Sequence, residues 1–480
     1  MINLKPIVFI LGLTLSKLAL FMWLPTLLAF FTGTSGLAEF LAAVILTHLA
    51  SFACLHLGHK SQLRLGVRDM FLLTSSVWVV VCVFGALPFV FINQISFTDA
   101  YFETMSGVTT TGSTVLSGLD NMAPSILLWR SLLQWLGGVG FIVLAVAVLP
   151  YLNVGGMKLF QTESSDKSDK DSPRAANVAK NIVVVYVTLS MLCIAAYWLC
   201  GMTIFEAINH GMTTLSTGGF STSDASMAHF SNSAHWVATL FMFMGGLPFL
   251  LYVQSLRRRE LILFRDAQVR GFFYLVLCTG TMMSLWLWHQ GVFTLPDAIR
   301  ISLFNIVSVL TTTGYGLTDF GVWSHFTTIL FIFLMLFGAC SGSTSGGIKL
   351  FRIQVATALF RKQGRQLMHP AGVFPQKYNG RPVSDHIVRS IVAFVLSYVA
   401  VIVISSALLG LLGLTPLEAI SGSITAISNV GPALGPVIGP LGNFSSLPDL
   451  AKWILAFDMM LGRLEILTVA VLFFPSFWRN

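Results

Sequence analysis

The sequence predicts an all-α membrane protein: four pseudo-symmetric helix/pore-loop/helix repeats around one pore, an N-terminal two-helix hairpin beside them, and about ten transmembrane helices. Three observations predict it. The 480 residues are 55% hydrophobic and only 10% charged, with a mean hydropathy of +0.80, where soluble domains carry roughly 25% charged residues. Apolar runs about long enough to cross ~30 Å of hydrocarbon recur along the chain. Between them, four short segments repeat one pattern.

The apolar runs are Ile7 to Phe31, Leu37 to Leu57, Met70 to Ile92, Ile126 to Leu152, Ile182 to Cys200, Trp236 to Val253, Phe272 to Trp288, Phe326 to Ala339, Ile387 to Leu412 and Trp453 to Phe474. The first is longer than a signal-peptide core and lacks a small-x-small cleavage site, so it reads as a retained helix. The net charge of +8 could mark an acidic partner such as nucleic acid, but its distribution points to orientation in a membrane. Residues 95–125, 205–256, 301–348 and 390–451 contain no Lys or Arg, while residues 153–180, 257–270 and 349–389 together hold eighteen. By the positive-inside rule those three connectors are cytoplasmic. With Lys60, Arg64 and Arg68 also inside and an even number of spans, both termini are expected in the cytoplasm. The six cysteines lie in or beside apolar spans without metal-site or disulfide spacing, and read as packing residues.

The repeated segments are Thr98 to Ser113, Phe205 to Phe220, Pro296 to Gly316 and Leu417 to Pro432. Each begins with an acid and an alanine: Asp99-Ala100, Glu206-Ala207, Asp297-Ala298, Glu418-Ala419. From the acid to Gly112, Gly218, Gly314 and Gly431 the spacings are 13, 12, 17 and 13 residues. Each segment sits between two spans, so the order is span, short helix, glycine loop, span. A helix of about 10 residues is roughly 15 Å long, half the hydrocarbon core. It dips in and returns. Non-helical backbone at that depth is tolerated only inside protein or beside water, so the four loops should converge on a shared axis. The expected organisation is a hairpin at 1–66, repeat 1 at 67–160, a cytoplasmic linker at 161–181, repeat 2 at 182–264, repeat 3 at 265–360, a second linker at 361–386 and repeat 4 at 387–480.

Those loops suit a dehydrated cation. Backbone carbonyls replace the water shell of a potassium ion without a full negative charge that would trap it, and glycine lets a carbonyl point inward at angles other residues avoid. The candidate ion-binding residues are Thr110, Thr111 and Gly112; Ser216, Thr217 and Gly218; Thr312, Thr313 and Gly314; and Asn429, Val430 and Gly431. Thr312-Thr313-Gly314-Tyr315-Gly316 closely resembles the TVGYG-type filter of potassium channels. Each short helix would aim its partially negative C-terminal end at the pore, and the acid favours its N-terminal end.

Two features lie beyond the loops. The run Ala339-Cys340-Ser341-Gly342-Ser343-Thr344-Ser345-Gly346-Gly347 interrupts an apolar span with poor helix formers. It reads as a movable intramembrane loop, hence a gate; the alternative is a small-residue packing face. Arg463 lies ten residues into the last span, about 15 Å along a helix, where a charge is costly unless it faces water or a partner. It is an energy barrier to the permeating cation, one half of an ion pair with Asp458 or Glu465, or both. Lys17, Arg130 and the histidines, His210 among them, show no pattern and read as snorkelling or packing residues.

The motifs TTTGS, STGGFS, TTTGYG, SNVGPALG, GACSGSTSGGIKLFR and MLGRLEI resemble those of the Trk/Ktr/HKT superfamily of potassium transporters. The resemblance spans the whole chain and is closest to the bacterial Trk-type membrane subunit, which also carries two extra N-terminal spans. It implies that Gly112, Gly218, Gly314 and Gly431 are the filter glycines, residues 339–347 the gate and Arg463 the pore arginine. It further implies potassium as the transported ion, a multi-pass place in the cell's inner membrane, a homodimer with one pore per subunit, and a cytosolic nucleotide-binding regulatory ring. Gly112, where some sodium-favouring relatives have serine, agrees with potassium. Ser345 departs from the glycine expected in the gating loop. Coupling to H+ or Na+ as a symporter is open. The alternative function is a secondary transporter of another cation or small solute, whose broken helices would also meet at mid-membrane. An enzyme finds no support: the sequence holds no Ser/His/Asp, HExxH, P-loop or paired-carboxylate arrangement of convincing spacing.

Overall fold

The structure, a computed structural model, describes residues 2–58, 65–147, 172–379 and 381–479. Lys60, Arg64, Lys158, Lys167 and Lys170, and the first part of the 161–181 segment, lie outside them. A hairpin of α1 (Leu4–Thr32) and α2 (Leu37–Gly58) opens the chain and turns at Gly33, which has φ +63°. Ser51 Oγ donates to Gly12 O at 2.7 Å where the two helices cross.

Repeat 1 is α3 (Val67–Gly85) continued by α4 (Leu87–Asn93), the short helix α5 (Phe97–Val108) and α6 (Pro124–Ala147). Repeat 2 is α7 (Ser172–Leu199), the short α8 (Ile204–Leu215), α9 (Asn232–Gly245) and α10 (Phe249–Arg258). Repeat 3 is α11 (Ala267–His289), the short α12 (Leu295–Leu310), α13 (His325–Leu336) and α14 (Leu350–Met368). Repeat 4 is α15 (Asp385–Leu411), the short α16 (Pro416–Ser428), α17 (Asp449–Arg463) and α18 (Ile466–Ala470), with α19 (Pro475–Trp478) closing the chain.

Among the described residues seven helices are long and apolar enough to cross a membrane unbroken: α1, α2, α3 with α4, α6, α7, α11 and α15. The remaining expected spans are broken. Trp236 to Val253, expected as one helix, bends by 86° between α9 and α10, at Gly246-Leu247-Pro248, where proline removes a donor and clashes with a continuing helix. The run from Phe326 ends at Leu336, and α17 stops at Arg463. The second spans of repeats 2, 3 and 4 therefore all break on the side that follows the short helices. The segments expected as linkers carry structure: α7 begins at Ser172, and α14 runs on to Met368 before a small hairpin of Lys377–Tyr378 and Arg381–Pro382.

Two apolar clusters support the centre. One joins α1, α3, α5, α6 and α17, so repeats 1 and 4 share it. The other runs through α7 to α13, joining repeats 2 and 3.

Candidate ion pathway

All four short helices start with one device. Ser96 and Asp99, Thr203 and Glu206, Thr294 and Asp297, and Thr415 and Glu418 stand three residues apart. The carboxylate accepts from its Ser or Thr at 2.7–3.0 Å in every case. In α8 and α16 the bonds are reciprocal, a capping box that satisfies otherwise orphaned donors at the helix start. The repeated acid is thus a cap, which fixes where each helix begins. The longer spacing in repeat 3 is one extra turn of helix: α12 has 16 residues, against 12, 12 and 13 in the others.

Each helix also ends in the same way. Thr110, Thr217, Thr312 and Asn429 are left-handed, with φ of 55°, 52°, 57° and 56°. The next residue's N–H then reaches back five residues: Thr111 to Ser106 O, Gly218 to Thr213 O, Thr313 to Ser308 O and Val430 to Thr425 O, at 2.8–3.0 Å. Two residues past the left-handed one comes a glycine that is itself left-handed: Gly112 (φ 92°), Gly219 (77°), Gly314 (78°) and Gly431 (108°).

That register corrects one sequence expectation. Gly218, read as the counterpart of Gly112, is the counterpart of Thr111, Thr313 and Val430. Gly219 takes the glycine position, and the acid-to-glycine spacing becomes 13 in three repeats.

The four loops close into a ring. A Cβ on Gly112 would lie 2.3 Å from Gly218 O; on Gly219, 1.9 Å from Thr313 O; on Gly314, 1.9 Å from Val430 O; and on Gly431, 2.6 Å from Thr111 O. Loop 1 abuts loop 2, 2 abuts 3, 3 abuts 4 and 4 abuts 1, each contact being glycine against main-chain carbonyl. No side chain fits at those positions. The ring borders a single cavity: Gly112, Gly219, Gly314 and Gly431 all line one space of about 220 Å³.

Side chains behind the ring hold it. Gln134 of α6 grips loop 2 from both ends, Nε2 donating to Gly218 O at 2.6 Å and Oε1 accepting from Phe220 N at 3.0 Å. Tyr315 O–H meets Thr213 Oγ1 at 2.6 Å, tying loop 3 to α8. Ser113 Oγ donates to Gly431 O at 2.7 Å and Asn429 Nδ2 to Thr111 Oγ1 at 3.1 Å, tying loops 4 and 1. Arg130, which showed no pattern in sequence, is 1% exposed and paired at 2.8 Å with Glu103, itself fully buried in α5. Arg130 Nη1 also donates to Ser221 O at 3.0 Å, and Glu103 accepts from Val115 N at 2.9 Å. One ion pair thus braces the exits of loops 1 and 2.

The interrupted span folds as a closed excursion. Phe337–Gly338 pairs in parallel with Ile348–Lys349, so residues 339–347 leave and return at one point. The loop then lies beneath the ring. Thr344 Oγ1 donates to Gly245 O at 3.0 Å and Leu215 O at 3.2 Å in repeat 2, and Gly346 N donates to Thr312 Oγ1 at 2.7 Å in repeat 3. A Cβ on Gly346 would lie 2.1 Å from Ser428 O in repeat 4. Ser345 Oγ accepts from Ala339 N at 3.2 Å and from Lys349 Nζ at 3.1 Å, so serine pins the loop where glycine was expected. Lys349 Nζ also donates to Ser345 O.

Arg463, 1% exposed, donates from Nη1 to Thr344 O at 2.8 Å and from Nη2 to Gly137 O at 3.4 Å. Neither alternative partner holds it. Asp458 accepts from Ser405 at 2.9 Å, and Glu465 pairs with Arg352 at 2.5 Å. Among the described residues Arg463 forms no ion pair. Its guanidinium and the Lys349 ammonium both face the Phe141 ring, at 4.2 and 5.7 Å. Two basic side chains therefore meet the loop at adjacent carbonyls, Arg463 at Thr344 O and Lys349 at Ser345 O.

A family model described as TrkH, a cation transport protein, matches residues 36–479. The chain belongs to the TrkH family. It is 43% identical over 478 residues to the Trk system potassium uptake protein TrkI of Halomonas elongata, covering 99% of this chain and 97% of that one. It is 37% identical over 428 residues to the Trk system potassium uptake protein TrkH of Escherichia coli K12, covering 88% of each. The crystal structure of the potassium transporter TrkH from Vibrio parahaemolyticus superposes with a TM-score of 0.92 at 33% identity, covering all of both chains. In this TrkH-family chain, sequence reasoning placed the loops and Arg463 but missed Gly219, Gln134, Arg130 and Lys349. Two adjacent glycines, Gly218 and Gly219, left the register of loop 2 to the backbone angles; the other three are isolated residues whose partners lie 16 to 91 positions away, or in the loop itself.

Proposed function

We propose that this chain is a potassium uptake transporter of the cell's inner membrane, in which ions shed water onto main-chain carbonyls of the four-loop ring. The ring of glycines against carbonyls, opening into one cavity, carries the reading. The ions meet Thr110 to Gly112, Thr217 to Gly219, Thr312 to Gly314 and Asn429 to Gly431. Thr110 Oγ1 and Asn429 Oδ1 are buried without a protein partner among the described residues, as oxygens kept for water or an ion would be. The loop 339–347 is the gate, shut by its bonds to repeats 2 and 3, and Arg463 and Lys349 set a positive barrier under it. The relatives' names as Trk potassium uptake proteins support the choice of ion.

A homodimer, cytoplasmic termini and a cytosolic nucleotide-binding subunit belong to the same proposal. Arg361, Lys362, Arg365 and Lys377 line a cavity of about 680 Å³ beside α14, a basic surface that suits an acidic partner. Rubidium influx into liposomes holding the purified chain tests the function. Influx above empty vesicles, competed by K+ more than by Na+, is expected. No influx from either the intact chain or one shortened across residues 340–346 would overturn it.

A further inference from the structure

Beside the ion pathway, α1, α3 and α6 border a largely apolar, open-sided cavity of about 350 Å³, lined among others by Trp78, Val108, Leu133, Gly140 and Leu144. Its one charged lining residue is Lys17, whose side chain is exposed at the cavity's open side. Lys17 lies thirteen residues from the start of the 29-residue α1, or about 20 Å along a helix of roughly 43 Å. Among the described residues it has no acidic partner. An ammonium midway along a spanning helix is costly unless an anion or water meets it. Its own stem reaches only part of the way to the interface, so snorkelling relieves the cost incompletely.

The cavity is also well placed. Val108 is the last residue of α5, one step before loop 1. Its carbonyl packs so closely on α6 that a Cβ on Gly137 would lie 1.9 Å away, and Gly137 O is the acceptor of Arg463 Nη2. Whatever fills the cavity touches the support of both the first loop and the pore arginine.

We propose that this cavity binds the anion of a long-chain fatty acid, with its carboxylate on Lys17 Nζ and its acyl chain against Trp78, Leu133 and Leu144. One cation in an apolar cleft asks for one anion with an apolar tail, and the volume falls in the range of small-ligand sites. A fatty acid also brings its carboxylate to the middle of the helix, whereas a phospholipid's phosphate is held at the headgroup level.

The test is photolabelling of the full-length protein in detergent with a diazirine-bearing palmitate, followed by peptide mapping. Label should fall on the lining stretches 14–21, 77–81 and 133–144 and be removed by excess oleate. Lys17→Met should lower it about fivefold, the scale of one lost ion pair. Gly140→Leu should lower it comparably by filling the cleft, since a Cβ at Gly140 meets open space and no neighbour within 4 Å. Label spread over the whole outer surface, or undiminished in both variants, would overturn the proposal. So would competition by phosphatidylglycerol as strong as that by oleate. Rubidium influx does not enter these readouts, so failure of the uptake function and failure of this site are told apart.

Discussion

Exchanging Gly219 for alanine should cost far more selectivity than exchanging its neighbour Gly218. At Gly219 the backbone has φ +77°, and a Cβ would lie 1.9 Å from Thr313 O. Carbon and oxygen approach only to about 3.3 Å, so the Thr313 carbonyl would have to withdraw by more than 1 Å and leave the ring. Left-handed backbone adds roughly 1–2 kcal/mol for a residue with a side chain. A penalty of about 1.5–3 kcal/mol on the ion-loaded ring is a drop of roughly 10- to 150-fold in the K+ over Na+ permeability ratio. At Gly218 the φ is ordinary and the nearest atom, 2.3 Å from a built Cβ, is Cδ of the Gln134 side chain, which can turn away. What is lost there is Gln134's grip on loop 2, about 0.5–1.5 kcal/mol per bond, and Gln134→Ala in the same chain should make room and restore part of the ratio. Reversal potentials of each variant in mixed K+ and Na+, after reconstitution in planar bilayers, give the ratio. If Gly218→Ala matches or exceeds Gly219→Ala, the register argued from the backbone is wrong.

Three further outcomes follow from the same contacts. Gly346→Ala should raise rubidium influx, because its Cβ would stand 2.1 Å from Ser428 O and push the loop off the ring; influx at the original rate would contradict a shut loop. Arg463→Ala removes the donor to Thr344 O and one of two positive charges, so influx should rise several-fold, about 1 kcal/mol off the barrier, and a fall would remove Arg463 from the gate. Arg130→Met strands the buried Glu103 carboxylate, at a cost of about 3–5 kcal/mol. Thermal unfolding in detergent, followed by size exclusion, should show a large loss that Glu103→Gln in the same chain partly reverses; an unchanged melting temperature would show that the pair bears little of the stability.

The parts of this fold that were legible in sequence are those written in local, repeated residues. Apolar runs give spans whatever they pack against, and four copies of an acid, an alanine and a glycine at similar spacing mark re-entrant loops because each copy checks the others. Register was harder, since Thr217-Gly218-Gly219 offers two glycines and only backbone angles choose between them. The broken spans follow the same logic. Gly245-Gly246-Leu247-Pro248 carries its break openly, yet the hydropathy of the flanking residues hides it. Arg130, Gln134 and Lys349 were invisible because what gives each its role is a carbonyl or carboxylate brought near by the fold. Arg463 was noticed for its depth, but its partners, Thr344 O and Gly137 O, are main-chain atoms that no composition reveals.

The most direct test is a crystal structure of this chain grown in rubidium, with anomalous scattering used to find the ions. Density on the axis between the carbonyls of Thr111, Gly218, Thr313 and Val430 is the expected result. Rubidium bound elsewhere, with the ring dry and empty, would contradict the claim that these four loops strip and pass the ion.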